Sequence, residues 1–312
     1  MESFKKGTSD LHELRVVSSL NEEKDFFLGN TLIGDCQDQL DFIWEKKKKT
    51  KALITFAITK TGEAISIPKS PFGGFWIVDS LSSASLESFI FAVVEDLRHR
   101  GVKSITLSQA PKPYEPHTDL INYLLGKCGF DQAKVLSHHF FIGKKKIKKQ
   151  TQKESSKIQS NRKNADIKVS HSSISNFGFL KYIKSWNTQK GYEVTLDENR
   201  IVQQVSEYPN RYFLITLSKN GQAIGYSLSV KLTGNSLYYF LSAINPQIPV
   251  KNGGDLILNE LFQLAVEQKV EFVDLGSSDL DEEVNHKLMF FKSRFSNDIS
   301  NKITWVKTIK NV

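Results

Sequence analysis

The sequence lacks the features that mark several common classes of protein. Its 312 residues contain only two cysteines, Cys36 and Cys128, which have neither metal nor redox spacing and are too few for a disulfide framework. No apolar run approaches the ~18 residues that span a bilayer, and no apolar segment follows the lysines near the start. These absences predict a protein of the reducing cytoplasm, without a signal peptide or a membrane span.

The familiar motifs of cofactor and nucleotide binding are also missing. Paired glycines occur at 73–74 and 253–254, but neither pair has the neighbours that a Walker or dinucleotide-binding motif requires. His138 and His139 are adjacent, and adjacent residues of a strand face opposite ways, so they cannot bind one metal ion together. The sequence therefore predicts neither a metal nor a tightly bound cofactor.

The positive charge is concentrated in one segment. Between Lys144 and Lys163 nine basic residues stand against one acidic residue, and this excess equals the net charge of +8 of the whole chain. Such a run attracts nucleic acid, an anionic membrane surface or an anionic substrate, although it also occurs as a solvated linker. No aromatic residue is interleaved, which weakens a specific nucleic-acid interpretation. We interpret 144–163 as a basic linker.

The length and the 21 phenylalanines predict two domains with sizeable cores. The two halves also repeat one order of elements. A strand, a Lys-x-Gly turn and a second strand occur at 52–67 and return at 211–230, and Phe130, between a helix and a strand, corresponds to Phe295. A helix followed by a strand forms a third pair of landmarks, and its two copies are separated in sequence by a similar number of residues to the other two pairs. This agreement indicates an internal duplication.

The duplication predicts the domain boundaries and the fold class. The two units are expected at 16–143 and 164–312, with the basic linker between them. Each contains antiparallel hairpin strands followed by a strand–helix–strand crossover, which predicts α/β units with mixed sheets flanked by helices. Within the first unit, Leu40, Ile43 and Trp44 fall on one helical face, so residues 35–46 are predicted to form an amphipathic helix. Residues 1–15 are expected to be a loose terminus.

The element order and several short words resemble the FemAB-like family of aminoacyl and acyl transferases, which carries two GNAT (acyltransferase-fold) units in tandem. The matching words include SPFGGFW (70–76), KSWNTQKG (184–191), YYFLSAINP (238–246), VDLGSS (273–278) and FFKSRFS (290–296). The resemblance covers about residues 25–309. It implies two tandem GNAT-like units, with the acceptor side in the first and the donor side in the second. The coiled arm of the peptidoglycan-bridge members is not visible.

Residues 251–254 are the candidate donor-binding loop. Adjacent glycines let backbone amides converge on an oxygen, and the start of the following helix adds a partial positive charge. The resemblance implies that Lys251, Asn252, Gly253 and Gly254 hold a donor pyrophosphate, with Ser242 beside them. The loop has the sequence Gly-Gly rather than Gly-x-Gly. A simple glycine turn before a helix therefore remains an alternative, and Asp255 would be satisfied as the helix cap in either case.

Three residues are candidates for the chemistry of acyl transfer. The resemblance implies that Lys292 stabilises the negative charge of the transition state, which a cation near the oxyanion achieves. Asp274 ends a predicted inner strand, where it could act as a base or accept amides of the next loop. Tyr239 is a candidate proton donor to the leaving group; Tyr238 alternates with it, so only one of the two is expected to face the cleft. Each of the three also has an ordinary structural interpretation.

The remaining candidates concern the acceptor. Phe72, Gly73, Gly74 and Tyr114 resemble the acceptor-side walls of the family, although the glycines could equally form a simple turn. Ser277, in the polar loop after the strand of Asp274, is a further candidate for substrate binding. The expected co-substrate is acyl-CoA, preferred over aminoacyl-tRNA, and the expected acceptor is an anionic small molecule or cell-envelope precursor.

Two functions are compatible with these patterns. The first is an acyltransferase, with an anionic membrane or tRNA as a further partner of 144–163. The second is a non-catalytic tandem-GNAT protein that docks to anionic lipid or nucleic acid, which the imperfect glycine loop motivates.

Overall fold

The protein divides into two compact units. In the computed structural model, unit 1 comprises Met1–Leu136 together with Asn301–Val312, and unit 2 comprises Ser137–Ser300. The structure describes residues 12–18, 25–30, 36–152, 166–192, 197–280 and 283–309. The domain boundaries predicted at 143 and 164 concern the duplicated sequence and stay a prediction.

Unit 1 is a mixed sheet with two helices. Its elements are β1 (His12–Ser18), β2 (Asp38–Lys46), β3 (Lys49–Ile58), β4 (Glu63–Ile65), β5 (Trp76–Ile77), α1 (Ser83–His99), β6 (Ser104–Gln109) and α2 (Thr118–Lys127), with a 3-10 turn at Phe27–Asn30. The strand order is β1-β2-β3-β4-β6, and β5 pairs with β3. The pairs are antiparallel except β4 with β6, which run parallel as a crossover through α1 requires.

Unit 2 repeats this plan with additional helices. Its elements are β7 (Asp131–Ile142), α3 (144–152 within the described residues), β8 (Ile167–Ser172), α4 (Gly178–Gln189), α5 (Glu198–Glu207), a 3-10 turn (Pro209–Arg211), β9 (Tyr212–Lys219), β10 (Gln222–Val230), β11 (Ser236–Ile244), α6 (Gly253–Glu267), β12 (Phe272–Asp274), β13 (Asp279–Leu280), β14 (Glu283–Val284), α7 (His286–Ser293) and β15 (Asp298–Thr308). The order β7-β12-β11-β10-β9-β8 is antiparallel except β12 with β11.

The last strand of each unit comes from the other half of the sequence. β15 closes unit 1, where residues 303–308 run antiparallel to β6, and Trp305 donates to Asn122 of α2 at 2.8 Å. Residues 140–142 of β7 pair with β12 in unit 2. This exchange separates the compact units from the contiguous repeats of the sequence.

Helix α1 forms for the reasons that its sequence suggests. The hydroxyl of Ser82 accepts a hydrogen bond from the Ser85 amide at 3.2 Å and caps the helix. Its buried face contacts the strands through Leu86, Phe89, Ile90, Val93, Val94 and Leu97, the six residues whose spacing predicts one buried face. The predicted helix at 85–100 is therefore confirmed within two residues.

The helix predicted at 35–46 is wrong. Residues 38–46 form strand β2, which pairs with β1 on one side and β3 on the other. Leu40, Phe42 and Trp44 alternate into the core of unit 1, and the intervening Ile43 is also buried, on the opposite face. Asp41 and Glu45 share that opposite face, so Ile43 is the residue that breaks the alternation of apolar and polar positions. Together with Leu40 and Trp44 it also fits a helical spacing. The loose terminus expected at 1–15 is wrong at its end, because β1 begins at His12.

The basic segment is also more ordered than a linker where the structure describes it. Residues 144–152 form α3, and Ile147 is 1% exposed in the core of unit 2. Its five lysines, from Lys144 to Lys149, are exposed. Ile147 therefore packs α3 against the core of unit 2, while the lysines of the helix face away from that core. Residues 153–163 of the predicted linker lie outside the described residues.

Gly74 lies where the chain of unit 1 crosses another backbone closely. It has φ +83°, and a Cβ there would lie 2.3 Å from Oε1 of Gln109. That side-chain amide accepts from the Phe75 N–H at 2.9 Å and donates to the Phe75 carbonyl at 3.0 Å. Gly74 is therefore required by both conformation and space.

We expect Gly74→Ala to destabilise the protein by ~3 kcal/mol or more, because backbone strain and the clash with Gln109 act together. Gly101→Ala is the matched control, since Gly101 has φ +78° but open space around a Cβ. Strain alone predicts a loss of ~1–2 kcal/mol there. Urea unfolding of both variants measures the difference, and equal losses would contradict the close approach.

Candidate active site

A cavity of about 570 Å³ lies in unit 2 where two parallel strands stop pairing. β11 and β12 pair only over residues 236–238 and 272–274. The residues that follow on both strands line the cavity, together with the ends of α4, α6 and α7. The lining residues are Asn187, Lys190, Tyr192, Tyr238, Tyr239, Phe240, Ser242, Ala243, Ile244, Gly254, Leu275, Gly276, Ser277, Asn285, Lys287, Leu288 and Lys292.

A β-bulge shapes the β11 wall. Ser229 of β10 pairs with Tyr239 and Leu228 pairs with Leu241, so Phe240 has no partner in β10. The extra residue, Phe240, also belongs to the cavity lining, as do Tyr238 and Tyr239. The Tyr238 hydroxyl lies beside Gly276 and Lys292, whereas Tyr239 packs against the core of unit 2. The expectation that only one of the two side chains faces the cleft stays a prediction.

Lys292 projects from α7 and is 5% exposed. Its ammonium group donates a hydrogen bond to the carbonyl oxygen of Ser277. Burial lowers the pKa of Lys292 to about 8, although the carboxylates of Asp274 and Asp279 oppose this shift. An ammonium has three N–H donors, and among the described residues one of them is used by Ser277. Lys292 lies on the cavity wall, and its catalytic role stays a prediction.

Tyr238 lies beside Lys292. Gly276 has φ +71°, and a Cβ there would lie 3.6 Å from the Tyr238 hydroxyl oxygen and 3.8 Å from Nζ of Lys292. A glycine at this position thus lets both polar groups approach one point. Burial, reinforced by Asp274, raises the pKa of Tyr238, so its hydroxyl remains protonated.

Tyr239 has a different environment. It packs against the core of unit 2. Burial raises its pKa to about 12, while a hydrogen bond with Ser242 lowers it. Ser242 also lines the cavity, and its backbone carbonyl accepts from the Asn187 side chain at 3.2 Å, which connects β11 to α4.

Asp274 supports the cavity from behind. It is fully buried and does not belong to the cavity lining. Its carboxylate accepts from the Gly276 amide at 2.7 Å and lies 3.2 Å from Nδ1 of His138. The hydrogen bond from the Gly276 amide to Asp274 is the structural alternative that the sequence analysis left open, in which Asp274 accepts amides of the next loop. Asp274 therefore positions the loop that carries Ser277 and also favours the charged form of Lys292.

His139 is a polar group that the sequence analysis considered only as a metal ligand. It is 1% exposed, and neither ring nitrogen has a hydrogen-bond partner in the described part of the chain. Burial, with a contribution from Lys292, lowers the pKa of His139. A neutral imidazole therefore lies behind the cationic wall.

The predicted donor loop begins α6, but only one of its residues reaches the cavity. Gly254 belongs to the lining, whereas Lys251 and Asn252 are exposed in the preceding turn. A Cβ at Gly253 would lie 3.0 Å from Ile244, and one at Gly254 would lie 3.0 Å from the Phe291 ring. Close packing therefore explains both glycines, and a phosphate-binding role for the loop stays a prediction.

Asp255 does not cap α6. The cap position is Asn252, whose side chain makes no capping bond. Asp255 lies in the first turn, where a carboxylate complements the helix dipole, and it pairs with Arg294 at 2.9 Å.

The cavity is cationic. Lys190, Lys287 and Lys292 contribute to it, and none of the described residues that line it is acidic. Burial lowers the pKa of Lys190. Asn187 and Asn285 add amide groups. The lining therefore suits a ligand with phosphate or carboxylate groups.

The acceptor candidates of unit 1 lie together but are buried. The Phe72 ring lies 4.4 Å from that of Tyr114 and 4.9 Å from that of Phe26, measured between centroids. Gly73 donates to the Ser108 carbonyl at 2.9 Å, and a Cβ there would lie 2.4 Å from Oγ of Ser66. Gly73 also forms an isolated parallel bridge with Gln109. An acceptor wall at these residues stays a prediction.

The comparisons with known proteins concern the fold. No protein-family model and no curated protein matches the sequence. Among solved structures, a tandem GNAT protein from the clavulanic acid biosynthesis pathway is similar over 97% of this chain and 100% of its own, with 8% identity and a TM-score of 0.55. The chain has a tandem GNAT fold.

Two further structures support the tandem GNAT fold. FemX is similar over 95% of this chain and 97% of its own, with 12% identity and a TM-score of 0.66. L-PGS from Bacillus licheniformis is similar over 84% of this chain and 82% of its own, with 12% identity and a TM-score of 0.51. The predicted fold class is therefore confirmed, including its resemblance to the FemAB-like proteins.

Two observations bear on metals and membranes. Within the described ranges, no group of three or more His, Cys, Asp or Glu side chains is placed to hold a metal ion. None of the helices described is both long and apolar enough to cross a membrane.

The sequence analysis identified Lys292 of α7 but not the contribution of α4, nor that of Asn285 at the start of α7. Asn187 and Lys190 lie in the run 184–191, which carries part of the resemblance, but no chemical signal distinguishes them from other polar residues of an amphipathic helix. Asn285 likewise gives no chemical signal, because its side chain has an ordinary structural role: it caps α7 by accepting a hydrogen bond from the Leu288 amide at 3.0 Å. Their roles depend on where helix ends meet the strands.

The lowered pKa of Lys292 predicts a pH-dependent stability. Because its pKa is about 8 in the folded protein and ~10.4 in an unfolded chain, the cost of burying the charge is constant below pH 8. That cost is relieved as the pH rises to ~10.4. We expect the unfolding free energy of the wild type to rise relative to Lys292→Met by ~1.4 kcal/mol per pH unit across this window.

Urea unfolding between pH 7 and pH 10.5 measures this difference. Lys287→Met is the matched control, because Lys287 lies on the same helix but is exposed. Its stability should remain parallel to that of the wild type. A parallel profile for Lys292→Met would show that Lys292 has an ordinary pKa.

Proposed function

We propose that the protein transfers an acyl group from acyl-CoA, bound in the cavity of unit 2, to an amine or hydroxyl of an anionic acceptor. The observation that carries this proposal is the position of Lys292, a buried cation on the wall of a cavity that opens where β11 and β12 part. The tandem GNAT fold makes an acyl or aminoacyl transferase the relevant class.

Two features support acyl-CoA as the donor. Three lysines belong to the described lining of the cavity, and no acidic residue does within that described part, which suits the phosphates of a coenzyme. The first turn of α6 reaches the cavity at Gly254, and the N–H groups of a first helical turn favour anions. The tandem GNAT neighbour was determined without AcCoA, which is a thioester of the same class. We therefore prefer acyl-CoA to aminoacyl-tRNA, and no tightly bound cofactor or metal is needed.

The chemistry is an exchange of one bond for another. The acceptor nitrogen or oxygen attacks the thioester carbonyl, and its new bond to carbon creates a tetrahedral oxyanion. Lys292 in its charged form stabilises that oxygen. The carbon–sulfur bond then breaks, the thiolate receives a proton, and the acceptor loses one. Holding donor and acceptor together supplies much of the remaining acceleration.

A tyrosine of β11 is the proposed proton donor to the thiolate. The sequence favoured Tyr239, whereas the geometry favours Tyr238, whose hydroxyl approaches Gly276 together with Lys292. Both hydroxyls keep their proton near neutral pH because burial raises both pKa values. Asp274 holds the loop of Ser277 rather than contacting the substrate.

The remaining proposals concern where the acceptor binds and where in the cell the protein acts. Phe72, Gly73, Gly74 and Tyr114 remain candidates for an acceptor wall if their buried cluster rearranges. The exposed lysines of α3 suit an anionic membrane surface or tRNA, from which an acceptor or donor would be delivered. A cell-envelope precursor fits such a surface, and we propose the cytoplasm as the location.

The exposed lysines of α3 also favour a second candidate function. Because packing explains Gly253 and Gly254 without a phosphate, the protein could dock to anionic lipid or nucleic acid without catalysis. Binding to anionic vesicles that is lost when the lysines at 144–149 are replaced, but survives Lys292→Ala, would support it. The transferase requires thioester binding, which this function does not.

Replacement of Lys292 tests the transferase. We expect Lys292→Ala to lower the transfer rate by about 10²-fold, the usual cost of removing one oxyanion donor. The affinity for acetyl-CoA or a longer acyl-CoA, measured by isothermal titration, should change by less than about tenfold. Lys181→Ala, on the exposed face of α4, is the control and should change neither quantity. If no thioester or charged tRNA binds the wild type, the proposal fails.

The two tyrosines form a matched pair. We expect Tyr238→Phe to lower the rate by about 10²-fold, because general acid catalysis contributes at least that much. Tyr239→Phe should lower it only a few-fold, since that hydroxyl is engaged with Ser242. Rates with a thioester donor decide between them, and the reverse order would assign the proton to Tyr239.

A further inference from the structure

A second cavity lies in unit 2, outside the candidate active site. It has a volume of about 310 Å³, at the small end of the range for ligand pockets. Strands β8, β9 and β10 form its floor, and the first turns of α4 with the preceding loop form its rim. It is lined by Ser172, Ser173, Ser175, Asn176, Gly178, Phe179, Tyr182, Leu214, Thr216 and Tyr226. We call it the α4 pocket.

The floor of the α4 pocket follows from the pairing of the strands. Thr216 is directly opposite Tyr226, and Ser172 is opposite Leu214, so these four side chains project from one face of the sheet. His171, the neighbour of Ser172, projects from the other face and bonds Glu260 and Glu267 of α6 at 2.9 Å. The pocket is therefore built on the α4 side of the sheet.

One wall of the pocket is aromatic and rigid. The Tyr226 ring is stacked on Trp186, with 5.7 Å between centroids and 10° between planes. The Tyr182 ring packs against Trp186 at 5.3 Å and Tyr226 at 6.0 Å. Tyr182 is nevertheless 51% exposed, whereas Trp186 is buried. An aromatic surface is thus held in place by buried neighbours and offered to a ligand.

The polar groups of the pocket are numerous and uncharged. Six hydroxyls, from three serines, one threonine and two tyrosines, and the amide of Asn176 belong to the lining, and among the residues that the structure describes no charged side chain does. Burial raises the pKa of Tyr226, so its hydroxyl stays a neutral donor. Neither a phosphate nor a carboxylate would find a cationic partner here, in contrast to the candidate active site.

We propose that the α4 pocket binds a neutral saccharide ring. A sugar ring combines apolar C–H faces, which pack on aromatic rings, with hydroxyls that pair with side-chain hydroxyls and amides. The pocket offers an aromatic surface and uncharged hydrogen-bonding groups in one place, and its described lining gives no reason to prefer a charged ligand. Its volume accommodates one ring of that kind with part of a second substituent.

The position of the pocket suggests what the saccharide is for. Tyr182 lines the α4 pocket and Lys190 lines the active-site cavity, and eight residues of helix separate them, or ~12 Å along the axis. Tyr226 is also directly opposite Ala243, which lines that cavity. The pocket would therefore hold a sugar portion of the acceptor while its reactive group enters the cavity. This role in the reaction rests on the proposed function, whereas saccharide binding does not.

Titration with neutral sugars tests the binding. Glucose and N-acetylglucosamine are the probes, and glucuronate is the charged comparison, with ligand-observed NMR and isothermal titration as readouts. We expect at least one neutral sugar to bind and glucuronate to bind more weakly. Tyr182→Ala should weaken the binding by about tenfold, and Tyr226→Phe, which keeps the ring but loses one hydroxyl, by about fivefold.

Two controls separate this inference from the proposed function. Tyr123→Ala removes an exposed tyrosine from α2 of unit 1, with 60% of that residue exposed, and should not change sugar binding. Lys292→Ala should not change it either, and Tyr182→Ala should leave acyl-CoA binding intact. Absence of binding by both neutral sugars, or equal losses in Tyr182→Ala and Tyr123→Ala, would overturn the inference without affecting the transferase.

Discussion

Only three residue pairs join β11 to β12, and the candidate active site depends on that brevity. A parallel pair that continued would fill the space with ladder hydrogen bonds and adjacent side chains. Because the pairing ends at Tyr238 and Asp274, the following residues of each strand become the two walls of a cavity. The bulge leaves Phe240 without a partner in β10, and Phe240 also belongs to the cavity lining.

The chemistry of the wall is set by groups that do not touch it. Asp274 is excluded from the lining, yet it attracts the charge of Lys292, keeps Tyr238 protonated and fixes the loop of Ser277 through the Gly276 amide. Burial acts against the charge of Lys292 and wins, because the pKa still falls to about 8. The ammonium is therefore close to its titration point at physiological pH, where a modest change in surroundings alters its charge.

Much of the fold could be predicted from the sequence, because both halves carry the same order of hairpin, helix and strand with clear periodicity. The prediction failed at 35–46, where Ile43 interrupts the alternation of β2 and completes a helical spacing with Leu40 and Trp44. At 144–152 one buried isoleucine among lysines is too weak a signal to predict the packed helix α3. For the site, Lys292, Tyr239, Ser242, Gly254 and Ser277 were predicted and do line the cavity. Asn187 and Lys190 could not be found, since their positions depend on how α4 lies over β11.

The exchange of closing strands has a consequence for the order of synthesis. The strand segment that completes the sheet of unit 1, residues 303–308, follows the whole of unit 2 in sequence, and β6 remains an open edge until that segment is made. A sheet edge without its partner presents unpaired backbone groups. The first half of the protein thus emerges with an incomplete sheet and without Trp305, a core residue of unit 1, and β6 gains its partner only after unit 2 has been translated. Closure of the sheet of unit 1 is in this way coupled to the synthesis of unit 2.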